Sequence, residues 1–385
     1  MLRYITCFAK TLFLSLLSTA QSYIHILYEK LLPPKEKTPS EQINILIVQL
    51  GQLGDFVLSI PFFGALKAAY GNRLRLVIIT DQINKDIAEK DQNINATIIY
   101  NSPKNLIVNR PTQSLKFPLS ALKKEIIDKA YWIRGDWRTF IWLVSNRIPM
   151  VSISKFSNQI RWSWWALIKG SKVKRDFKHY VENLGNLDKK AKVDLYIKEN
   201  SIRNTIQNGK MVFVHIGAGH PLRRWPEEYF SELCRQLLEY NSDIEISLLG
   251  SKTEREIADR IKHNDLLSLH KDRIVNVCGK FDLSYLSEIL RGGALYIGVD
   301  SGPMHIAASS GIPMTVLMGP GDPQIFRPCR TNGVRIIYKD YFCSPCWQFE
   351  CLHADSGPGA CLLAIQPEEV FREAKLFLGR KGMDE

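Results

Sequence analysis

Five short apolar runs lie between residues 211 and 319, "MVFVHIG", "EISLLG", "IVNVCG", "ALYIGVD" and "PMTVLMG", and each stops at a glycine or an aspartate. Runs this short and continuous suit strands buried on both faces, which are parallel strands covered by helices. Helical stretches starting near Pro226, Thr253, Leu283 and Pro303 separate them. Alternation of this kind predicts a doubly wound parallel α/β sheet.

The same pattern opens the chain after a proline-rich linker, "PPKEKTPSEQ". "INILIVQL" reads as a strand, "GQLGD" as a turn, "FVLSIPFFGALKAAYG" as a helix closed by Gly71 and "RLRLVIIT" as the next strand. That is a βαβ unit with its functional end at residues 51 to 55. "ATIIY" and "KAYWIR" read as further strands. A chain of 385 residues exceeds what one core usually supports. The expected division is therefore an N-terminal apolar helix and linker (1–40), a first Rossmann-like domain (41–200) and a second one with a cysteine-rich segment and C-terminal helix (201–385). Two such sheets in one chain imply a cleft faced by the loops beyond the strands' carboxyl ends.

Composition narrows the partners. A net charge of +12 favours polyanionic ones: nucleic acid, an anionic membrane surface or a phosphorylated glycolipid. No arginine-rich recognition helix, zinc-finger spacing or aromatic RNA-binding signature accompanies that charge, so nucleic acid is set aside. The first 32 residues are apolar but broken by Lys10, Gln21 and His25, below the roughly 20 clean residues of a membrane span. They read as an interfacial helix, with Leu12, Phe13, Leu16 and Leu17 in lipid and Arg3, Lys10 and Lys30 at the headgroups, or else as a helix packed on the protein itself. Four of the eight cysteines, Cys343, Cys346, Cys351 and Cys361, cluster near the C-terminus. That is not the spread of a secreted disulfide scaffold and points to a reducing compartment. The cluster reads either as a structural zinc or iron–sulfur site or as buried, redox-labile thiols.

The chemistry gathers in the loops. In "GVDSGPMHIAASSGIP" Asp300 ends a strand, Ser301 and Gly302 turn the chain and Pro303 occupies the first helical turn. The free amides there favour an anion, Gly302 admits a phosphate, and His305 lies one turn in. The alternative is a plain N-cap with a core histidine. "HIGAGHPLRRWPEEYF" repeats the logic: Gly217 and Gly219 permit a turn and Arg223 and Arg224 supply fixed positive charge. Two anion-favouring loops at one sheet edge suggest a diphosphate. In "LLGSKTERE" Glu254 is placed to accept hydrogen bonds from a ribose or a base edge. "GQLGD" lacks the spacing of a dinucleotide fingerprint but holds Asp55 at a helix start, as a general base for an acceptor hydroxyl or as a capping residue. The tryptophan-, arginine- and lysine-dense stretch that follows reads as a wall meeting an amphiphile or as ordinary helices. Gly54, Arg138 and Arg161 are taken as acceptor-side candidates.

Together these residues resemble glycosyltransferase family 9, the ADP-heptose:lipopolysaccharide heptosyltransferases, whose fold is GT-B. "ILIVQLGQLGDFVLSIPFFGALK", "HIGAGHPLRRWPEEYFSELCRQL" and "LYIGVDSGPMHIAASSGIPMTVLMGPGDP" carry the likeness, which runs from about residue 43 to about 375. The resemblance implies an inverting, metal-independent sugar transfer with Asp55 as the base. Arg223 would take the place of a phosphate-binding lysine, Glu254 would lie near the ribose, and Asp300, Ser301, Gly302 and His305 would hold the diphosphate sugar. Gln49 stands where many relatives carry arginine, and Val299 where asparagine is usual. The implied partners are a nucleotide-sugar donor, a lipid-linked or phosphorylated saccharide acceptor and an anionic membrane surface, at the cytoplasmic side of the inner membrane, with no cofactor needed for catalysis. The alternatives are a transferase using another nucleotide-sugar, a non-catalytic nucleotide-sugar binder, and a redox or metal protein built on the cysteines.

Overall fold

The computed structural model describes residues 41–101, 117–152, 210–328, 332–341 and 359–378, with the shorter pieces 24, 27–33, 38, 184, 187–188, 343–344, 346, 351 and 353. The chain divides into two compact units, Met1–Leu195 and Tyr196–Glu385.

The first unit runs β1 (Ile43–Gln49), α1 (Leu53–Tyr70), β2 (Leu74–Thr80), α2 (Lys85–Lys90), β3 (Ala96–Ile99), α3 (Leu119–Leu122), β4 (Lys129–Arg134), α4 (Trp137–Ser145) and β5 (Met150–Ser152). All strands pair in parallel, in the order β3-β2-β1-β4-β5. β1 is central, and Ile45, Leu46, Ile47 and Val48 are buried on both its faces. α1 starts at the Gln52 cap and ends at Gly71, whose φ of 59° only glycine adopts readily. Its Phe56, Phe62 and Phe63 are fully buried, each stabilising the unit by roughly 2–3 kcal/mol. Among the described residues, the Leu53–Arg73 stretch is the one helix long and apolar enough to cross a membrane, yet half of it is buried as the crossover from β1 to β2. β5, only three residues long, carries too short a pattern to be read as a strand from sequence.

Of the N-terminal segment, residues 27–31 are described as helical. The Tyr28 hydroxyl donates to the carbonyls of Ile148 (2.9 Å) and Leu143 (3.3 Å), and the Glu29 carboxylate accepts from the Ser152 amide. This turn packs on the protein; the interfacial residues expected upstream lie outside the described residues. So does most of the tryptophan-dense stretch, Arg161 included. Farther along, Asp188 is fastened to the sheet by the hydroxyls of Tyr131 and Tyr70 (2.7 Å) and by Lys129 Nζ (3.0 Å). Burial pushes its carboxyl up, but these donors outweigh burial and hold it down, to about 2.

The second unit runs β6 (Met211–His215), α5 (Glu227–Tyr240), β7 (Glu245–Leu249), α6 (Arg255–Lys262), β8 (Ile274–Asn276), α7 (Leu283–Leu290), β9 (Leu295–Val299), α8 (Gly302–Ser310), β10 (Met314–Met318), α9 (Pro323–Phe326), β11 (Val334–Tyr338), α10 (Ala360–Leu363) and α11 (Pro367–Leu378). The six strands are parallel, in the order β11-β10-β9-β6-β7-β8. Val212, Val214, Ile246, Leu248 and Ile297 share a core with Phe230, Leu233 and Leu237 of α5. Trp225 Nε1 donates to the Ile365 carbonyl (3.0 Å), so the loop after β6 is tied to the segment that leads into α11.

Both units are therefore doubly wound, Rossmann-like α/β sheets, as the sequence pattern predicts. Strand order reverses between β1 and β4 in one and between β6 and β9 in the other. Ligands of such sheets bind at that reversal, beyond the carboxyl ends of the strands.

Candidate active site

In the first unit the reversal is occupied by a carboxylate and a guanidinium. Asp55 sits in the first turn of α1, where Oδ2 accepts from the Gln52 amide (3.2 Å) and Oδ1 faces Arg134 Nη2 (3.2 Å). Arg134 is the last residue of β4, paired in register with Gln49 at the end of β1. The fully buried Gln49 donates from Nε2 to the Asp55 carbonyl (3.0 Å) and to Ser59 Oγ (2.6 Å), and its Oε1 accepts from the Gly51 amide (3.1 Å). Capping and ion pairing thus coexist at Asp55. Gln49 braces the turn, and the guanidinium beside the carboxylate comes from β4.

The second unit repeats the arrangement. Asp300 ends the turn out of β9, buried, with its amide bonded to the Leu317 carbonyl (3.0 Å). Arg223, from the loop after β6, places Nη1 3.4 Å from Asp300 Oδ2. Arg223 is about one-third exposed and so still open to a ligand. Ser301 precedes α8 but its side chain makes no cap hydrogen bond; the hydroxyl donates back to the Val299 carbonyl (3.1 Å). The plain N-cap reading therefore fails at Ser301, and no side chain from that residue covers the first-turn amides of α8. Gly302 and the buried His305 lie in that first turn. Gly311, with φ 85°, ends the helix.

Glycines make room for the carboxylates. A Cβ on Gly51 would come within 2.9 Å of Asp55, one on Gly217 within 2.9 Å of the Glu254 carboxyl, and one on Gly321 within 2.6 Å of Asp300 Oδ2. At separations under 3 Å the carboxylate would have to move, so a glycine at each turn lets it stay where it is. Glu254 is buried and also completes a capping box, accepting from the Ser251 amide (2.7 Å). His215, at the end of β6, stacks on Tyr296, and burial pushes its imidazole down to about 4, with the nearby Glu254 opposing. It is a neutral ring at neutral pH.

The remaining candidates divide. Gly54 lies in the first turn of α1 beside Asp55. Arg138 lies on α4, its guanidinium over the Trp137 ring (5.4 Å). Arg224 Nε donates to the Ala218 carbonyl (3.3 Å), so only Arg223 of the basic pair reaches Asp300. The cysteine segment folds onto the loop after β10: the Cys346 amide donates to the Pro320 carbonyl (3.0 Å) and Ser344 Oγ to that of Gly319 (3.0 Å). Burial and the neighbouring thiols push Cys343 and Cys361 up to about 11. Among the described residues no group of three or more His, Cys, Asp or Glu side chains is arranged to hold a metal ion. Sequence reasoning missed Arg134, His215 and Gly321. For Arg134 the signal was present: it closes "KAYWIR", at the same sheet edge as "GQLGD".

Two doubly wound Rossmann-like sheets, each with an arginine–carboxylate pair at its reversal, belong to the GT-B fold class. The model of glycosyltransferase family 9 (heptosyltransferase) matches residues 156–355, just over half of the chain, and the chain belongs to that family. Lipooligosaccharide heptosyltransferase 2 of Campylobacter jejuni is 26% identical over 176 residues, covering 45% of this chain and 53% of that protein. The chain thus spans about half the length of the curated relatives it matches. The solved ADP-heptose lipopolysaccharide heptosyltransferase II of E. coli superposes with a TM-score of 0.61 at 18% identity, over 88% of this chain and 99% of that one. E. coli heptosyltransferase WaaC with ADP-2-deoxy-2-fluoro heptose superposes with a TM-score of 0.56 at 17% identity, over 87% and 99%.

Proposed function

We propose that this protein transfers heptose from ADP-heptose, with inversion, onto a lipopolysaccharide core or a related lipid-linked or phosphorylated saccharide. Asp55 takes the proton from the acceptor hydroxyl as its oxygen bonds to the anomeric carbon. The bond from that carbon to the diphosphate breaks, and ADP leaves with the electron pair. Arg223, held by Asp300, and the first-turn amides of α8 stabilise the charge that grows on the leaving diphosphate. Glu254, under Gly217, lies beside the ribose, and Arg134 aims the Asp55 carboxylate.

Fixed positive charge supplies the electrostatic stabilisation, so the chemistry runs without a metal, and the cysteine segment is read as bracing the loop after β10. The workplace is the cytoplasmic face of a membrane that displays the acceptor. The observation that carries this reading is the Arg223–Asp300 pair beside a helix start whose cap side chain turns away.

Calorimetric titration of the full chain with ADP, GDP and UDP tests the donor assignment. The expected result is preference for ADP, lost in Arg223→Ala. Preference for GDP or UDP overturns heptose as the sugar, and absence of nucleotide binding overturns the transferase reading.

A further inference from the structure

Among the described residues of the first unit, every large apolar side chain left exposed falls in two stretches, 24–31 and 119–144. Ile24, Leu27 and Leu31 lie at helical spacing in the first, and Trp137, Ile141 and Val144 along α4 in the second. The two stretches adjoin, because Tyr28 bonds to the carbonyls of Leu143 and Ile148 and meets the Phe140 ring edge-on at 6.0 Å. Beside them a groove of about 420 Å³ opens between Phe117, Leu119, Lys123, Trp137, Arg138 and Ile141. Trp137 is 60% exposed and carries the Arg138 guanidinium on its face. Exposed apolar side chains concentrated in this way mark a docking surface.

The charge around this face is one-sided. Lys30, Lys123, Lys124 and Arg147 are exposed, and among the described residues none of them makes an ion pair. The acids of the same stretches are all engaged elsewhere. Asp136 is buried as the α4 cap, Glu125 pairs with Arg75, Asp128 binds Asn44, and Glu29 binds the Ser152 amide. A tryptophan with an arginine on its face, an aliphatic stripe and a rim of uncompensated lysines complement the boundary between headgroups and acyl chains of an anionic bilayer.

We infer that α4 and the adjoining N-terminal turn form the face by which this protein docks on an anionic lipid bilayer. The position serves the chemistry. Trp137 follows Arg134, the partner of Asp55, by three residues, about 10 Å of chain at most. A saccharide carried on a lipid thus emerges beside the carboxylate that must reach it. The inference rests on the proposed transfer to a membrane-borne acceptor only for this last point.

Vesicle cosedimentation of the full chain tests it, with phosphatidylcholine alone and with phosphatidylglycerol added. The wild type is expected to bind the anionic vesicles, and Trp137→Asp/Ile141→Asp and Lys123→Glu/Lys124→Glu to bind about ten-fold more weakly or worse. Limited proteolysis of the first unit and ADP binding by the second, measured in parallel without vesicles, are expected to be unchanged and report that both variants fold. On adding vesicles, amide exchange is expected to slow over residues 117–147. A wild type that ignores anionic vesicles, variants that bind as well as it does, or protection confined to other segments would each overturn the inference. So would variants that merely turn an oligomer into a monomer while vesicle binding persists, since the face would then join copies of the chain. Docking without sugar transfer would instead contradict the proposed function and leave the surface standing.

Discussion

Arg223 reaches the Asp300 carboxylate at 3.4 Å across the point where β6 and β9 lie side by side, the reversal of the second sheet. Arg134 and Asp55 stand in the same relation across β1 and β4. In each pair the guanidinium is open to solvent and the carboxylate largely covered, and the screened attraction contributes only about 0–1 kcal/mol to stability. Its use is to hold a guanidinium still.

Arg223→Ala should therefore leave unfolding within about 1 kcal/mol of wild type while weakening ADP about 10- to 100-fold, the loss of one or two charged hydrogen bonds. Calorimetry alongside chemical denaturation checks both halves. An equal loss in stability would make the pair structural.

Gly321→Ala tests whether the glycine exists for Asp300. The added Cβ lands 2.6 Å from Oδ2, so the carboxylate must swing away from Arg223. The variant should mimic Arg223→Ala in ADP titrations, at a stability cost of about 1–3 kcal/mol from overpacking. Unaltered ADP affinity would show that Asp300 does not organise the arginine.

Much of this was legible in the sequence, because buried parallel strands write themselves as continuous apolar runs. The five runs of the second unit and the opening βαβ unit appear where the pattern places them. β5, of three residues, and β11, in which Ile337 alone is buried after the Gly333 turn, carry no such signature. Among the candidate residues, Asp55, Arg223, Glu254 and Asp300 stand out in the sequence by the glycine turns beside them. Arg134 showed only as the end of the run "KAYWIR", and its meaning comes from the strand order, which brings the end of β4 beside β1. His215 and Gly321 likewise acquire a role only through what packs against them.

His215 gives the second unit a pH dependence. Its folded value, depressed by burial from 6.5 to about 4, means that the unfolded chain takes up the proton first as pH falls. Stability is full above about pH 6.5 and declines toward pH 4 by roughly 3 kcal/mol. Denaturation midpoints of wild type and His215→Gln across that window check this. The variant should lack that share of the decline, and an identical slope would contradict it.

Asp188 acts in the same sense, at lower pH. Burial raises its carboxyl, but Tyr131, Tyr70 and Lys129 together lower it from 3.8 to about 2, so its contribution is present above the ordinary carboxyl range and lost as pH falls toward 2. Asp188→Asn leaves Lys129 without its charge partner and should destabilise the first unit by about 3 kcal/mol at neutral pH. Limited proteolysis of that unit reads the effect, and unchanged cleavage would contradict it.

The central claim is that Asp55 deprotonates an acceptor while the second unit holds the leaving ADP. Asp55→Asn keeps the shape of the turn and removes the base. The most direct measurement is the rate of ADP release and heptosylated product from ADP-heptose and a heptose-free lipopolysaccharide core, in wild type and in this variant. The account predicts turnover by the wild type and a fall of about 10²- to 10⁴-fold in Asp55→Asn, with ADP affinity unchanged. Equal turnover in the two proteins would contradict it.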